Sequence, residues 1–257
     1  MSDAGETSHK VVSGLSPAMI NRWQSEERFA TYLNHAGGDQ RTALDLYLWN
    51  SRLSAAILRD FGYIEVLVRH AYDREISKSY PDWGCNEPSL FNLEEGVPRA
   101  RAKQRELNEQ SRKALVTAHS SLRKRDVPIS HGRVVAELSL GFWGHLTEGA
   151  RTSTIWTPLL SNAFQERPAR GSVHNAMHQV RKIRNRAAHL EPLFGNPEAL
   201  KIQLTAGLQI TSALSAQVLS WLRHHSDVPS LLESIPIDVP PIKRSGHTYR
   251  ESSFHRL

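Results

Sequence analysis

The stretch DQRTALDLYLWNSRLSAAILRDFGYIEVLVRHAYDREISKSY, residues 39–80, decides how the chain folds. Within it Leu53, Ile57, Phe61, Ile64 and Val68 recur at steps of four, four, three and four. That spacing lines one face of an α-helix, and no proline interrupts it before Pro81. The stripe predicts one long helix over residues 39–80 with a core against one side. Asn50 extends the stripe backwards by three and reads as a buried, hydrogen-bonded amide.

Working outward, Ser16-Pro17 reads as a helix start, a capping hydroxyl followed by proline at the first helical position, with the helix running to residue 34 before Gly37-Gly38. On the other side, residues 81–98 are turn-rich and residues 99–125 form a charged helix that Val127-Pro128 ends. Ser130 is a cap for a helix carrying Val134, Leu138, Phe142 and Leu146, with Gly141 and Gly144 allowing a neighbour to approach. A short helix over residues 155–164, a break at 168–171, a helix from Ser172 to residue 190 and a last helix over 197–225 complete the series. Helix follows helix with no alternation of period two, so the expected fold is all-α. The expected division is a flexible N-terminus (1–14), a helical domain (15–225) and a proline-rich arm or disordered tail (226–257).

Composition narrows the function classes. The chain has 257 residues, a net charge of +6 and one cysteine, so no internal disulfide or cysteine-based metal cluster exists. Nothing beside Cys85 supplies a base or a positive field, which argues against a thiol nucleophile. The polar N-terminus and the lack of a spanning apolar run point to a cytoplasmic protein that neither enters nor crosses a membrane. Between residues 99 and 126 nine Lys or Arg face three Asp or Glu, a balance of +6 that suits a polyanionic partner or a solvated helix face.

The chemistry concentrates in residues 172–190. On a helical wheel Val173, Ala176, Met177, Val180, Ile183, Ala187 and Leu190 form an apolar arc, and Arg184 falls inside it. A buried arginine needs a carboxylate or other acceptors, and Glu65 and Glu137 are both candidates. Glu65 and Arg69 also read as a plain salt bridge four residues apart within one helix. His174, His178, Asn185 and His189 form a polar ridge on another flank. His174 and His178 alone resemble half a zinc site, but no third ligand presents itself, so neither metal nor cofactor is expected. Trp143, Trp156 and Trp221 sit in helical patterns and read as core. No compact helix-turn-helix is found, which argues against a sequence-specific DNA-binding regulator.

Arg184-Asn185 followed by His189 matches the R-x(4–6)-H motif of the HEPN superfamily. Its surroundings, Ile183-Arg184-Asn185-Arg186-Ala187-Ala188-His189-Leu190-Glu191-Pro192-Leu193-Phe194, resemble the corresponding stretch of Abi-like proteins, linked to bacterial abortive infection. So do Ala43-Leu44-Asp45-Leu46-Tyr47-Leu48-Trp49-Asn50, Glu65-Val66-Leu67-Val68-Arg69 and Val135-Ala136-Glu137-Leu138-Ser139-Leu140-Gly141-Phe142-Trp143. These pieces lie in the family's order over residues 15–220. The sequence departs from it at Leu190, where many relatives have a second histidine, and at His70, where an asparagine is common.

The resemblance implies an HEPN-like helical bundle with additional helices and a homodimer in which motif helices of two subunits face each other. It implies a metal-independent endoribonuclease with Arg184, His189 and Asn185 catalytic, and Arg186, His178, Glu65, Arg69 and Glu137 binding RNA or supporting the site. Histidine exchanges protons near neutrality and arginine grips two phosphate oxygens, the two services a 2′-hydroxyl attack requires. The partners implied are RNA, a second copy of the chain and an antitoxin or activating protein. A non-catalytic HEPN module that binds RNA or protein is the alternative.

Overall fold

The computed structural model describes Met19, Arg22 and residues 25–85, 89–94 and 96–237. Every regular element among them is helical: α1 (Glu26–His35), α2 (Gln40–Ser77), α3 (Pro98–Lys124), α4 (His131–Glu137), α5 (Leu140–His145), α6 (Arg170–Ala188), α7 (Pro197–Leu214), α8 (Ala216–His225) and α9 (Val228–Glu233). The all-α expectation holds.

The long helix forms as its stripe predicts. The Asp39 carboxylate accepts from the Thr42 N–H at 2.7 Å, and the 38 residues of α2 span about 57 Å at about 1.5 Å each. Leu53, Ile57, Phe61, Ile64 and Val68 are all buried, and they form one core with Met177, Val180, Ile183 and Ala187 of α6 and Ala206 and Ile210 of α7. Gly207 lets α7 lie against α2, because a Cβ there would meet Phe61 Cζ at 2.9 Å and Ile64 Cδ1 at 3.1 Å. Gly207→Ala should therefore lower stability by about 1–3 kcal/mol through overpacking, read as an earlier urea midpoint with an unchanged slope.

Several boundaries differ from those expected, each for a local reason. Ser25 caps α1 by accepting from the Arg28 N–H, so a helix begins there, while the Ser16-Pro17 start lies outside the described residues. The helix expected after Ser130 is two helices, because Leu138 is extended and Ser139 caps α5 through the Phe142 N–H. Of the two glycines expected to let a neighbour approach, a Cβ at Gly141 would meet Arg181 Cδ of α6 at 4.0 Å, an ordinary contact, and one at Gly144 would meet nothing within 4 Å. Residues 149–163 run as short 3-10 and π turns rather than an α-helix. α6 begins at Arg170, with Ala169 as its cap and Ser172 inside it. Extended Ser215, whose hydroxyl accepts from the Val218 N–H, splits the expected last helix into α7 and α8.

Part of the expected arm is docked. Ser226 donates to Asp60 Oδ2 at 2.5 Å, Arg59 bridges Asp60 and Asp227, and Trp49 Nε1 donates to the Leu231 carbonyl at 2.6 Å. Residues 238–257, like the N-terminal 1–14, lie outside the described residues. Among the described residues, no helix is long and apolar enough to cross a membrane.

Candidate functional site

The motif occupies the end of α6, where three separate anchors fix the backbone. The Leu190 N–H donates to the Ala187 carbonyl at 3.0 Å and the Glu191 N–H to that of Arg186 at 2.9 Å. This pair of bonds ends the helix as a Schellman turn, with Leu190 at a φ of 50° where glycine is usual. Arg28 of α1 donates through Nη2 to the carbonyls of His189 (2.8 Å) and Leu190 (3.0 Å). From α2, Asn50 Nδ2 donates to the Glu191 carbonyl at 3.2 Å, and its Oδ1 accepts from the Leu193 N–H at 2.8 Å. Asn50 is 1% exposed, so the buried amide read from the stripe is satisfied by the loop that follows the motif.

Arg184 is exposed rather than buried, a correction to its place on the wheel. The buried positions Val173, Met177, Val180, Ile183 and Ala187 repeat every 3.5 residues on average, shorter than the helical turn. At about 100° per residue the stripe has rotated by roughly 80° between its first and last pairs, which leaves Arg184 beside it. Its guanidinium has no hydrogen bond or ion pair with a described residue. Glu137 is not its partner: that carboxylate accepts from Ser121 at 2.8 Å and pairs with Arg125, and both contacts hold it below the usual carboxylate range. Glu65 and Arg69 form the salt bridge within α2, at 3.5 Å. His189 is also exposed, and its ring has no hydrogen bond to a described residue.

A cleft of about 510 Å³ opens between α6 and the start of α7. His178, Arg181, Lys182, Asn185 and Arg186 line it from α6, with Asn196, Ala199 and Gln203 opposite and Glu191 at its end. Arg186 is spent on structure: it donates to the Pro192 carbonyl at 2.8 Å and Gln203 Oε1 at 3.3 Å, and lies 3.4 Å from Glu191. A smaller cavity of about 60 Å³ adjoins it, lined by His145, Glu148, His174, His178 and Arg181 among others. Burial first, then the Arg181 charge, hold the His145 imidazole below its ordinary pKa. His174 Nδ1 lies 3.0 Å from Thr147 Oγ1. Among the described residues, no three His, Cys, Asp or Glu are grouped to hold a metal ion.

The structure thus brings Asn185, Arg186 and His178 together in the cleft. Arg184, His189, Glu65, Arg69 and Glu137 do not line it. Sequence reading missed Arg181 and Lys182, although both share a face with His178 and Asn185 at steps of three and four. Trp143 and Trp156 are buried as expected, whereas Trp221 is 43% exposed and packs edge-on to Tyr63. Burial, with Asp82 nearby, pushes the Cys85 thiol pKa up, away from nucleophile chemistry.

The model of the Abi-like protein family matches residues 19–195. The chain belongs to the Abi-like family. Membership points to a role in abortive infection or defence. The family match takes in α1 through α6 with Arg28, Asn50 and the motif turn, and stops before α7, so the two walls of the cleft lie on either side of its limit. No curated protein matches the chain, and no solved structure does.

Proposed function

We propose that the chain is a metal-independent endoribonuclease of phage-defence or toxin type, acting at a composite site of an HEPN-like homodimer. The observation that supports this most is the availability of Arg184 and His189: both reach solvent at the end of α6, and neither side chain is engaged by a described residue. A structural ion pair does not account for Arg184, and capping does not account for the His189 ring, because Arg28 already serves the last carbonyls.

His189 takes the proton of an RNA 2′-hydroxyl, and the freed oxygen attacks the adjacent phosphorus. Arg184 binds the phosphate oxygens as negative charge gathers on them. The 5′-oxygen leaves with a proton from a second imidazole or from water, giving a 2′,3′-cyclic phosphate and a 5′-hydroxyl. Asn185, one turn before His189, orients the imidazole or the phosphate.

Arg184 and His189 lie about 140° apart on a regular helix, and neither of the two described cavities is lined by them. A symmetric pairing of α6 helices supplies both flanks to one cleft. That divergence is also what favours the second reading, a non-catalytic module that binds RNA or a protein partner. Purified protein incubated with total RNA in excess chelator separates the two: cleavage with cyclic-phosphate ends supports the enzyme, while 3′-hydroxyl ends or a divalent-metal requirement contradict it.

A further inference from the structure

Resting on the ribonuclease reading, we propose that the α6–α7 cleft is a subsite that seats one nucleotide of single-stranded RNA beside the scissile bond. Arg181 and Lys182 take its phosphate, and Glu191 reads the edge of its base.

Size and charge both carry this assignment. About 510 Å³ falls within the roughly 300–1,000 Å³ of clefts that hold a small ligand, and a mononucleotide needs no more. Of the three cations lining the cleft, Arg186 is paired with Glu191 at 3.4 Å and bonded to Gln203. Arg181 and Lys182 have no hydrogen bond or ion pair with a described residue. Two adjacent cations without a described partner on one wall of a polar cleft call for an anion, and both line the same opening, from which a phosphate can be held.

The rest of the lining adds amide groups and one carboxylate. The Asn185 amide and the Asn196 NH₂ have no hydrogen bond with a described residue, Asn196 Oδ1 caps the Ala199 N–H at 2.9 Å, and the Glu191 side chain is 52% exposed. Such a mixture of donors and acceptors matches the edge of an unpaired base. A carboxylate accepts only. Guanine, whose ring N1–H and exocyclic amine lie side by side, is the base whose edge best serves it.

The test is a titration of the full-length protein with each of the four nucleoside 3′-monophosphates, followed by calorimetry. The expected result is saturable binding with guanosine 3′-monophosphate tightest, at least ~10-fold weaker binding in Lys182→Glu and Arg181→Gln, and loss of the guanine preference in Glu191→Gln, each variant keeping the wild-type circular dichroism melt. On a 2′-O-methyl RNA that cannot be cleaved, removing both cations should reduce the slope of log K against log salt by about 0.7, because together they neutralise one phosphate at ~0.7 per phosphate on a single strand. Absence of nucleotide binding, equal affinity for all four, or indifference to Lys182→Glu in a folded protein overturns the subsite. Failure of the nuclease reading looks different: nucleotides bind as described while RNA stays intact.

Discussion

Mixing His189→Ala subunits with Arg184→Ala subunits should restore about a quarter of wild-type RNA cleavage, although each variant alone loses ~10²–10⁴-fold. The single-variant losses follow from removing a positioned proton-transfer group or a phosphate clamp. The recovery follows from the geometry of α6. If one site draws its arginine from one subunit and its histidine from the other, a mixed dimer contains one site with both groups intact and one with neither. Random exchange makes half the dimers mixed, and half of their sites are whole, hence the quarter. A site formed within one chain has no such route, since every chain in the mixture lacks one group. Cleavage that stays at the single-variant level after subunit exchange, shown by mass spectrometry, rules out the composite arrangement.

Asn50→Leu should lower stability by about 2–5 kcal/mol, because it leaves the buried Leu193 N–H without a partner at roughly 1–3 kcal/mol, removes the bond to the Glu191 carbonyl and adds bulk at a site only 1% exposed. Leucine keeps the branched outline of asparagine but is bulkier, so the loss combines overpacking with the two missing bonds to Glu191 and Leu193. For a chain of this size that corresponds to a drop in melting temperature of ~4–20 °C. The loop after the motif should also lose order, read as faster amide exchange at Leu193 than at core amides of α2. A melt within a degree of wild type means that water replaces both bonds and that the amide is not the anchor described.

Legibility in the sequence followed the range of the interactions involved. α2 was plain because its capping aspartate, its stripe and Pro81 are all local signals. Asn50 was legible as a buried amide, but its partners stand 141 and 143 residues away, and nothing in a local pattern names them. The splits at Ser139 and Ser215 were missed because a capping hydroxyl inside an apolar pattern competes with the pattern itself, and here the cap prevailed. Arg184 was misplaced because a wheel drawn for a whole helix averages over a stripe that drifts along it. The α6–α7 cleft is a product of packing: its α6 wall could be read from spacing, but no sequence rule sets Asn196 and Gln203 opposite it.

The turn at Leu190 links what happens on its two sides. Glu191 contributes its side chain to the cleft and its N–H to the terminus that presents His189, so a single short run of backbone serves both places. A ligand that shifted Glu191 would pull on the turn that carries His189, and any change in affinity it caused there would be returned to the cleft by the same factor.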